Sequence, residues 1–356
     1  MSQKTIVFTG GGTAGHVVVN LAIMPEFIRE GFDVHYIGSY EGIERDLVDG
    51  MEGVTYHGIA TGKLRRYMSV ENMKDPFRVL KGLGQARRLL KQLKPRVVFS
   101  KGGFVSTPVV MASRLTGVPS IIHESDYTPG LANKIASKFA RHILTTFPET
   151  NQHLPEKKVV NVGAIVREEL FAGDSEQALA MTGLSRDKPT VLVMGGSAGA
   201  ASINQAVRQA LPDLLKQYHV IHLCGKEKRD DTINQPGYVQ YEYVTDELKD
   251  LLALADVVVS RAGANAIFEF LALKKPMLLI PLSKQASRGD QLLNAESFNK
   301  RGYADVLEDE EVDATSLTDA VNRLYENRET YQEYMASYQP QKTKDDVIDM
   351  IKQTML

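Results

Sequence analysis

Thr5-Ile6-Val7-Phe8-Thr9-Gly10-Gly11-Gly12-Thr13-Ala14-Gly15-His16 and Thr190-Val191-Leu192-Val193-Met194-Gly195-Gly196-Ser197-Ala198-Gly199-Ala200 decide the fold. In each, a short apolar run breaks into glycines. Glycine lets backbone amides come close to an anion, and a helix that follows aims its positive dipole end at the same point. One such turn in each half implies two nucleotide-binding-type α/β domains facing a cleft. That arrangement suits an enzyme holding a nucleotide-activated donor in one half and an acceptor in the other.

Outward from these turns, strand-length apolar runs alternate with amphipathic segments of helix length. In the first half the runs are Ile6–Thr9, Val34–Gly38, Val54–Ile59, Arg96–Ser100, Ser120–His123 and His142–Thr146. In the second they are Val159–Val162, Val191–Met194, Val220–Leu223, Val239–Tyr241, Val257–Ser260 and Met277–Ile280. The alternation argues for doubly wound parallel sheets covered by helices on both faces. A length of 356 residues suits two domains. We place the boundary near Gly163, giving residues 1–162 plus about 338–356 as the first domain and 163–337 as the second. The helical pattern from Thr343 to Met355 predicts a tail that packs back across the junction.

Composition is that of a globular protein, 43% hydrophobic and 24% charged, with a formal net charge of −2. Cys224 is the single cysteine, which excludes an intramolecular disulfide and a multi-cysteine zinc site and points to a reducing cytoplasm. Met1-Ser2-Gln3-Lys4 leads straight into a strand, so no secretory signal is expected. No run approaches the roughly 18 apolar residues that span a bilayer.

Gly10-x-Gly12-x-x-Gly15 matches a dinucleotide fingerprint, but the second strand ends Ile37-Gly38-Ser39 without the acidic residue that would hold a nicotinamide cofactor's ribose. The same turn carries Thr13 and His16. An imidazole there could deprotonate an acceptor hydroxyl, or simply pack the first helical turn. Lys101-Gly102-Gly103-Phe104-Val105-Ser106 and His123-Glu124-Ser125-Asp126 follow neighbouring strands and supply hydroxyl and carboxylate groups for an acceptor site; His123 alone reads as a core residue. In the second half, Gly195 to Gly199 can cradle a diphosphate through amides and the Ser197 hydroxyl. Ser260-Arg261-Ala262-Gly263-Ala264 leads to Glu269, a carboxylate suited to a ribose diol or to a helix start. Gln291 and Asn294, three apart, share a helix face and could reach sugar hydroxyls. No metal-ligand spacing appears, so no metal or cofactor is expected, and leaving-group charge falls to amides, a helix dipole and Arg167.

Taken in order, Gly-Gly-Gly-Thr-Ala-Gly-His (10–16), Gly-Gly-Phe-Val-Ser (102–106), His-Glu-Ser-Asp (123–126), Gly-Gly-Ser-Ala-Gly (195–199), Ser-Arg-Ala-Gly (260–263) and Arg-Gly-Asp-Gln-x-x-Asn-Ala (288–295) resemble the MurG family, within glycosyltransferase family 28. The resemblance implies a GT-B fold and transfer of GlcNAc from UDP-GlcNAc to lipid I, with inversion and no covalent intermediate. It implies His16 as general base, with Glu124 a candidate to share the role. It implies donor contacts from Thr13, Ala14, Gly15, Asp126, Arg167, Ser197, Val244, Ala264, Glu269 and Gln291. Departures fall at Ala14, Asp126, Ala164-Ile165 and Ala198, where the family often has Gly, Asn, Asn-Pro and Gln. A carboxylate at position 126 accepts hydrogen bonds but cannot donate them.

A lipid-linked acceptor requires a membrane. Between Lys63 and Arg96, eleven basic residues face two acidic ones; that stretch carries +9 against −2 for the whole chain, leaving −11 elsewhere. Phe77, Leu80, Leu83, Leu90 and Leu93 follow at roughly helical spacing. The expected partner is an anionic membrane surface on the cytoplasmic face, met peripherally. Too few aromatics accompany the charge for nucleic acid. Other cell-wall synthesis proteins are candidate partners. Rival readings are a diacylglycerol glycolipid synthase, a UDP-GlcNAc epimerase of the same fold, and a non-catalytic sugar-nucleotide sensor.

Overall fold

The computed structural model describes residues 4–62, 75–196, 199–284 and 287–355. Every strand pairs in parallel. The first sheet contains β1 (Thr5–Thr9), β2 (Asp33–Ser39), β3 (Val54–Ile59), β4 (Val97–Ser100), β5 (Ser120–Glu124), β6 (His142–Thr145) and β7 (Val159–Asn161), in the order β3-β2-β1-β4-β5-β6-β7. The second contains β8 (Thr190–Met194), β9 (His219–Leu223), β10 (Tyr238–Tyr241), β11 (Val257–Ser260), β12 (Met277–Leu279) and β13 (Ala304–Val306), in the order β10-β9-β8-β11-β12-β13. The run at Val159, read with the second half, is the outer strand of the first sheet, paired to β6. β13 went unread because Asp305 interrupts its three residues and leaves no apolar run.

Helices α1 (Val18–Arg29), α2 (Ile43–Val48), α3 (Asp75–Leu93), α4 (Ser106–Thr116) and α5 (Leu131–Ala136) connect the first sheet. Helices α6 (Ser175–Thr182), α7 (Ala201–Gln217), α8 (Leu248–Leu254), α9 (Ala264–Ala272), α10 (Asp290–Lys300), α11 (Ala314–Glu326) and α12 (Arg328–Ala336) lie in the second half, and α13 (Lys344–Thr354) ends the chain. Two compact units result, Met1–Val166 with Pro340–Leu356, and Arg167–Gln339.

Alternation along β1 shows how the first unit is layered. Ile6 and Phe8 join Phe27 of α1 and Phe99 of β4 in one core. Val7, between them, joins Ala86 and Leu90 of α3 and Val109 of α4 in another. Successive strand residues point to opposite faces, so both faces of a parallel sheet need helices. The tail belongs to the first core: Val347, Ile348 and Ile351 of α13 are buried with Phe8 and Phe27. A buried aliphatic side chain contributes about 1.5–3 kcal/mol, so three of them anchor a short helix. Thr343 starts α13 through a reciprocal capping box with Asp346. In the second unit, Val191 and Val193 of β8 pack with Ile203, Val207 and Leu211 of α7 and Leu317 and Val321 of α11.

Candidate active site

In each sheet, chain order reverses beside the first strand, between β1 and β4 and between β8 and β11. Ligands of open α/β sheets bind at the carboxyl ends of strands at such points. Both quoted turns end there.

At the first reversal, the β1 turn meets the loop after β4. Gly103 has φ +81°, and a Cβ on it would lie 2.1 Å from the Gly11 carbonyl oxygen and 3.2 Å from His16 Nδ1. Only glycine satisfies both the left-handed backbone and this approach. His16 therefore lies at the seam of the two loops. It ends a 3-10 turn over Ala14–His16, with extended Thr13 before it. The Thr13 hydroxyl, rather than capping the turn, pairs with His16 Nδ1 at 2.9 Å. Thr13 is exposed; Ala14, Gly15 and His16 are half-buried.

The carboxylate of Glu124 is buried and engaged. It accepts from the Asp126 amide at 3.0 Å, the Gly130 amide at 2.9 Å and Asn133 Nδ2 at 2.9 Å. It thus fixes the loop carrying half-buried Asp126. Lys101, fully buried, donates to Ser125 Oγ at 2.7 Å. Burial lowers its ammonium pKa, opposed by Glu124 and Asp126. Burial, aided by Lys101, also holds His123 well below the usual imidazole range.

In the second unit, Arg167 and Glu269 form a two-pronged ion pair. Nε donates to Oε1 at 2.8 Å and Nη2 to Oε2 at 3.1 Å. Glu269, in the middle of α9, is buried, and desolvation raises its pKa against the pull of Arg167. The sequence treated these two residues separately; the structure joins them. Ala264 opens α9 and is buried. Val244 is half-buried in the loop after β10. Gln291 Oε1 accepts from the Leu282 amide at 3.0 Å, fastening the segment after β12. Asn294 is fully buried and donates to the Ala262 carbonyl at 3.1 Å. A sugar contact from Asn294 is therefore withdrawn, because its side chain is spent bracing the β11 loop. Ser197, with Ala198, lies outside the described residues, as do Gln285 and Ala286 of the polar loop before α10.

Two residues carry more than their sequence context revealed. Arg261 Nη1 donates to the Ile280 carbonyl at 3.0 Å and to Asp309 Oδ1 at 2.7 Å, and Nη2 donates to Ser202 Oγ at 3.0 Å. It locks the ends of β11 and β12 to the start of α7. Glu44 of α2 is fully buried beneath the first glycine turn. A glycine inside β2, Gly38, was the available signal, since strand glycines mark close approach. Among the described residues, no group of three or more His, Cys, Asp or Glu side chains is placed to hold a metal ion.

The glycosyltransferase family 28 N-terminal domain matches residues 6–145, and the family's C-terminal domain matches residues 190–351. A protein of Oceanobacillus iheyensis named UDP-N-acetylglucosamine--N-acetylmuramyl-(pentapeptide) pyrophosphoryl-undecaprenol N-acetylglucosamine transferase is 56% identical over 354 residues, covering 99% of both chains. One of the same name from Geobacillus thermodenitrificans is 59% identical over 334 residues, 94% of both. Among solved structures, Acinetobacter baumannii MurG superposes with a TM-score of 0.72 at 25% identity, over 98% of this chain and 99% of that one. With family domains matched in both halves and relatives matched nearly end to end, this chain belongs to glycosyltransferase family 28, with the GT-B fold.

Proposed function

We propose that this chain moves GlcNAc from UDP-GlcNAc to the C4 hydroxyl of N-acetylmuramate in lipid I, yielding lipid II and UDP. The observation that carries this reading is the 56% identity, over 99% of each chain, to a transferase named for that reaction. Family 28 domains in both halves favour glycosyl transfer over the epimerase and sensor readings.

The chemistry follows as a single displacement. The acceptor hydroxyl attacks the anomeric carbon from the face opposite the diphosphate. The new C–O bond forms as the bond to UDP breaks, so the configuration inverts. His16 takes the hydroxyl proton. When Nδ1–H donates to Thr13 Oγ1, the lone pair lies on Nε2, the tautomer a base requires. Glu124 holds the neighbouring loop. In the second unit, Arg167 occupies one side of each Glu269 oxygen and leaves each a lone pair for a ribose hydroxyl. Two of the five guanidinium N–H groups are used there, and the rest serve the departing diphosphate with the amides of the second turn. Val244, Ala264, Gln291 and Ser197 complete the donor side, Thr13 to Gly15 and Asp126 the sugar side. No metal is assigned a role.

Among the described residues, no helix is long and apolar enough to cross a membrane. The surface proposed to meet the cytoplasmic leaflet is the solvent face of α3. Leu83, Ala86 and Leu90 turn inward, whereas Phe77 is 75% and Leu80 63% exposed. Arg78, Lys81, Arg87, Arg88 and Lys91 are exposed beside them. The basic residues Lys63, Arg65, Arg66 and Lys74 lie outside the described residues.

The deciding experiment measures UDP release from UDP-GlcNAc with and without a short-chain lipid I analogue, in EDTA. Release only with the acceptor, surviving EDTA, is expected. Binding of UDP-GlcNAc without acceptor-dependent release would refute the transferase reading.

A further inference from the structure

We infer that Glu44 is a positioning residue for the His16 turn, an inference that rests on His16 acting as the base. The carboxylate sits in a niche built for it. Oε2 accepts from the Gly12 amide at 3.0 Å, and Oε1 accepts from the Ser39 amide at 3.1 Å and from the Ser39 hydroxyl. Three glycines make the room. A Cβ on Gly11 would lie 2.4 Å from Glu44 Cδ, one on Gly42 2.7 Å from Oε2, and one on Gly38 3.0 Å from Cγ. Among the described residues Glu44 has no basic partner within salt-bridge distance. A buried carboxylate is costly to desolvate unless its oxygens are satisfied. Here two backbone amides, one hydroxyl and the first turn of α2 satisfy it.

The amide it grips belongs to the residue before Thr13. From Glu44 the contacts run through Gly12 to Thr13, whose hydroxyl holds His16 Nδ1, while Gly11 abuts Gly103 beside the same ring. Tyr36 pins the other end of the turn, donating to the Gly10 carbonyl at 2.9 Å. Glu44 touches none of the reacting atoms; it sets where the imidazole stands. A base displaced by about 1 Å can lose two orders of magnitude in rate.

The test is Glu44→Gln in the full chain, assayed with UDP-GlcNAc and the short-chain lipid I analogue. The variant keeps shape but turns an amide NH2 toward a backbone N–H. We expect kcat to fall about ten- to a hundredfold, with both KM values within about twofold of the parent. A kcat within about twofold of the parent, or a donor KM that rises in step with the loss, overturns the inference. If Glu44→Gln does not fold, Gly42→Ala decides. Gly42 has φ 172°, extended backbone that any residue adopts, and its methyl would press from outside the active site on the carboxylate, 2.7 Å from Oε2, and on the Ser39 hydroxyl that holds it, at 2.6 Å. The same kcat-only loss is expected; unchanged kcat overturns the inference. His16→Ala runs alongside. Retained turnover there refutes the base and this inference with it, whereas an inert His16→Ala beside a fully active Glu44→Gln refutes the positioning role alone.

Discussion

The two glycine turns look alike in sequence and are braced by opposite means. The first rests on a charge, Glu44, which takes the Gly12 amide for itself. The second rests on a neutral chain. Gly199, at φ +67°, would place a Cβ 2.1 Å from the Cys224 carbonyl oxygen. That carbonyl accepts from Asn204 Nδ2 at 2.8 Å, Asn204 Oδ1 meets His222 Nε2 at 3.0 Å, and His222 Nδ1 meets the Tyr238 hydroxyl at 2.9 Å. Burial, with Arg208 nearby, pushes His222 down to about 3, so the imidazole is neutral. A strand-to-glycine signature therefore does not specify a phosphate site by itself. A carboxylate under the turn opposes an anion and suits a sugar hydroxyl, while a neutral brace leaves the turn's field to a diphosphate.

This contrast breaks most sharply under His16→Ala. A positioned base supplies about two to four orders of magnitude, so kcat should fall by that factor while UDP binding, measured by titration, is unchanged. Glu269→Gln should do the reverse. It removes the charge facing Arg167 and an acceptor for the ribose, and the donor KM should rise about ten- to a hundredfold, as expected for losing a charge-assisted bond. Because burial raises the Glu269 pKa, donor affinity should fall as pH drops through a value above the ordinary glutamate 4.5. Below that value the folded protein binds the extra proton more readily than the unfolded chain, so acidification relieves the cost of burying this charge even as donor binding is lost. Glu269→Gln should flatten the acidic limb of the donor-KM profile. A limb that persists would assign it to another group.

How far the sequence carried these assignments depended on whether a residue's partner was local. The parallel sheets were legible because Val, Ile and Leu runs are buried on both faces and break at glycines. His16 and Thr13 were legible as neighbours in one turn. The Arg167–Glu269 pair spans 102 positions, and nothing in either segment names the other. Asn294 sits at the helical spacing of a ligand contact, yet points at a carbonyl of the next loop. Glu44 lies on a short helix whose apolar residues, Ile43, Leu47 and Val48, advertise the core and not the carboxylate, and the amide it grips, at Gly12, is 32 positions away. The apolar spacing of α3 was real, but it mixed a core face with an exposed first turn.

The neutral brace offers a smaller effect. Asn204→Ala leaves the Cys224 carbonyl and the His222 N–H buried without partners, a cost of about 1–3 kcal/mol to the second unit by thermal or urea unfolding. Acid adds to it with a fixed sign. His222 stays neutral in the folded state down to about 3, whereas in the unfolded chain it takes a proton near the ordinary 6.5, so stability falls as pH drops between those values. Replacing His222 with Gln should reduce that slope. An identical slope would locate the acid lability elsewhere.

The smallest effect lies away from both turns. Each basic residue near an anionic membrane is worth about 1 kcal/mol, so Arg88→Gln should weaken binding to phosphatidylglycerol vesicles about fivefold at low salt, and less at high salt as screening sets in. Phe77→Ser, which removes an aromatic ring 75% exposed on the first turn of α3, should weaken binding in a salt-independent way, because it withdraws apolar area rather than charge. Neither substitution touches a turn, so kcat on a detergent-dispersed short-chain acceptor should stay at the parental value for both. If vesicle binding is indifferent to both residues, the membrane contact does not use α3. If turnover on the dispersed acceptor also falls, α3 acts on the chemistry through the core that Ala86 and Leu90 share with Val7 of β1, and the separation between lipid surface and first turn fails.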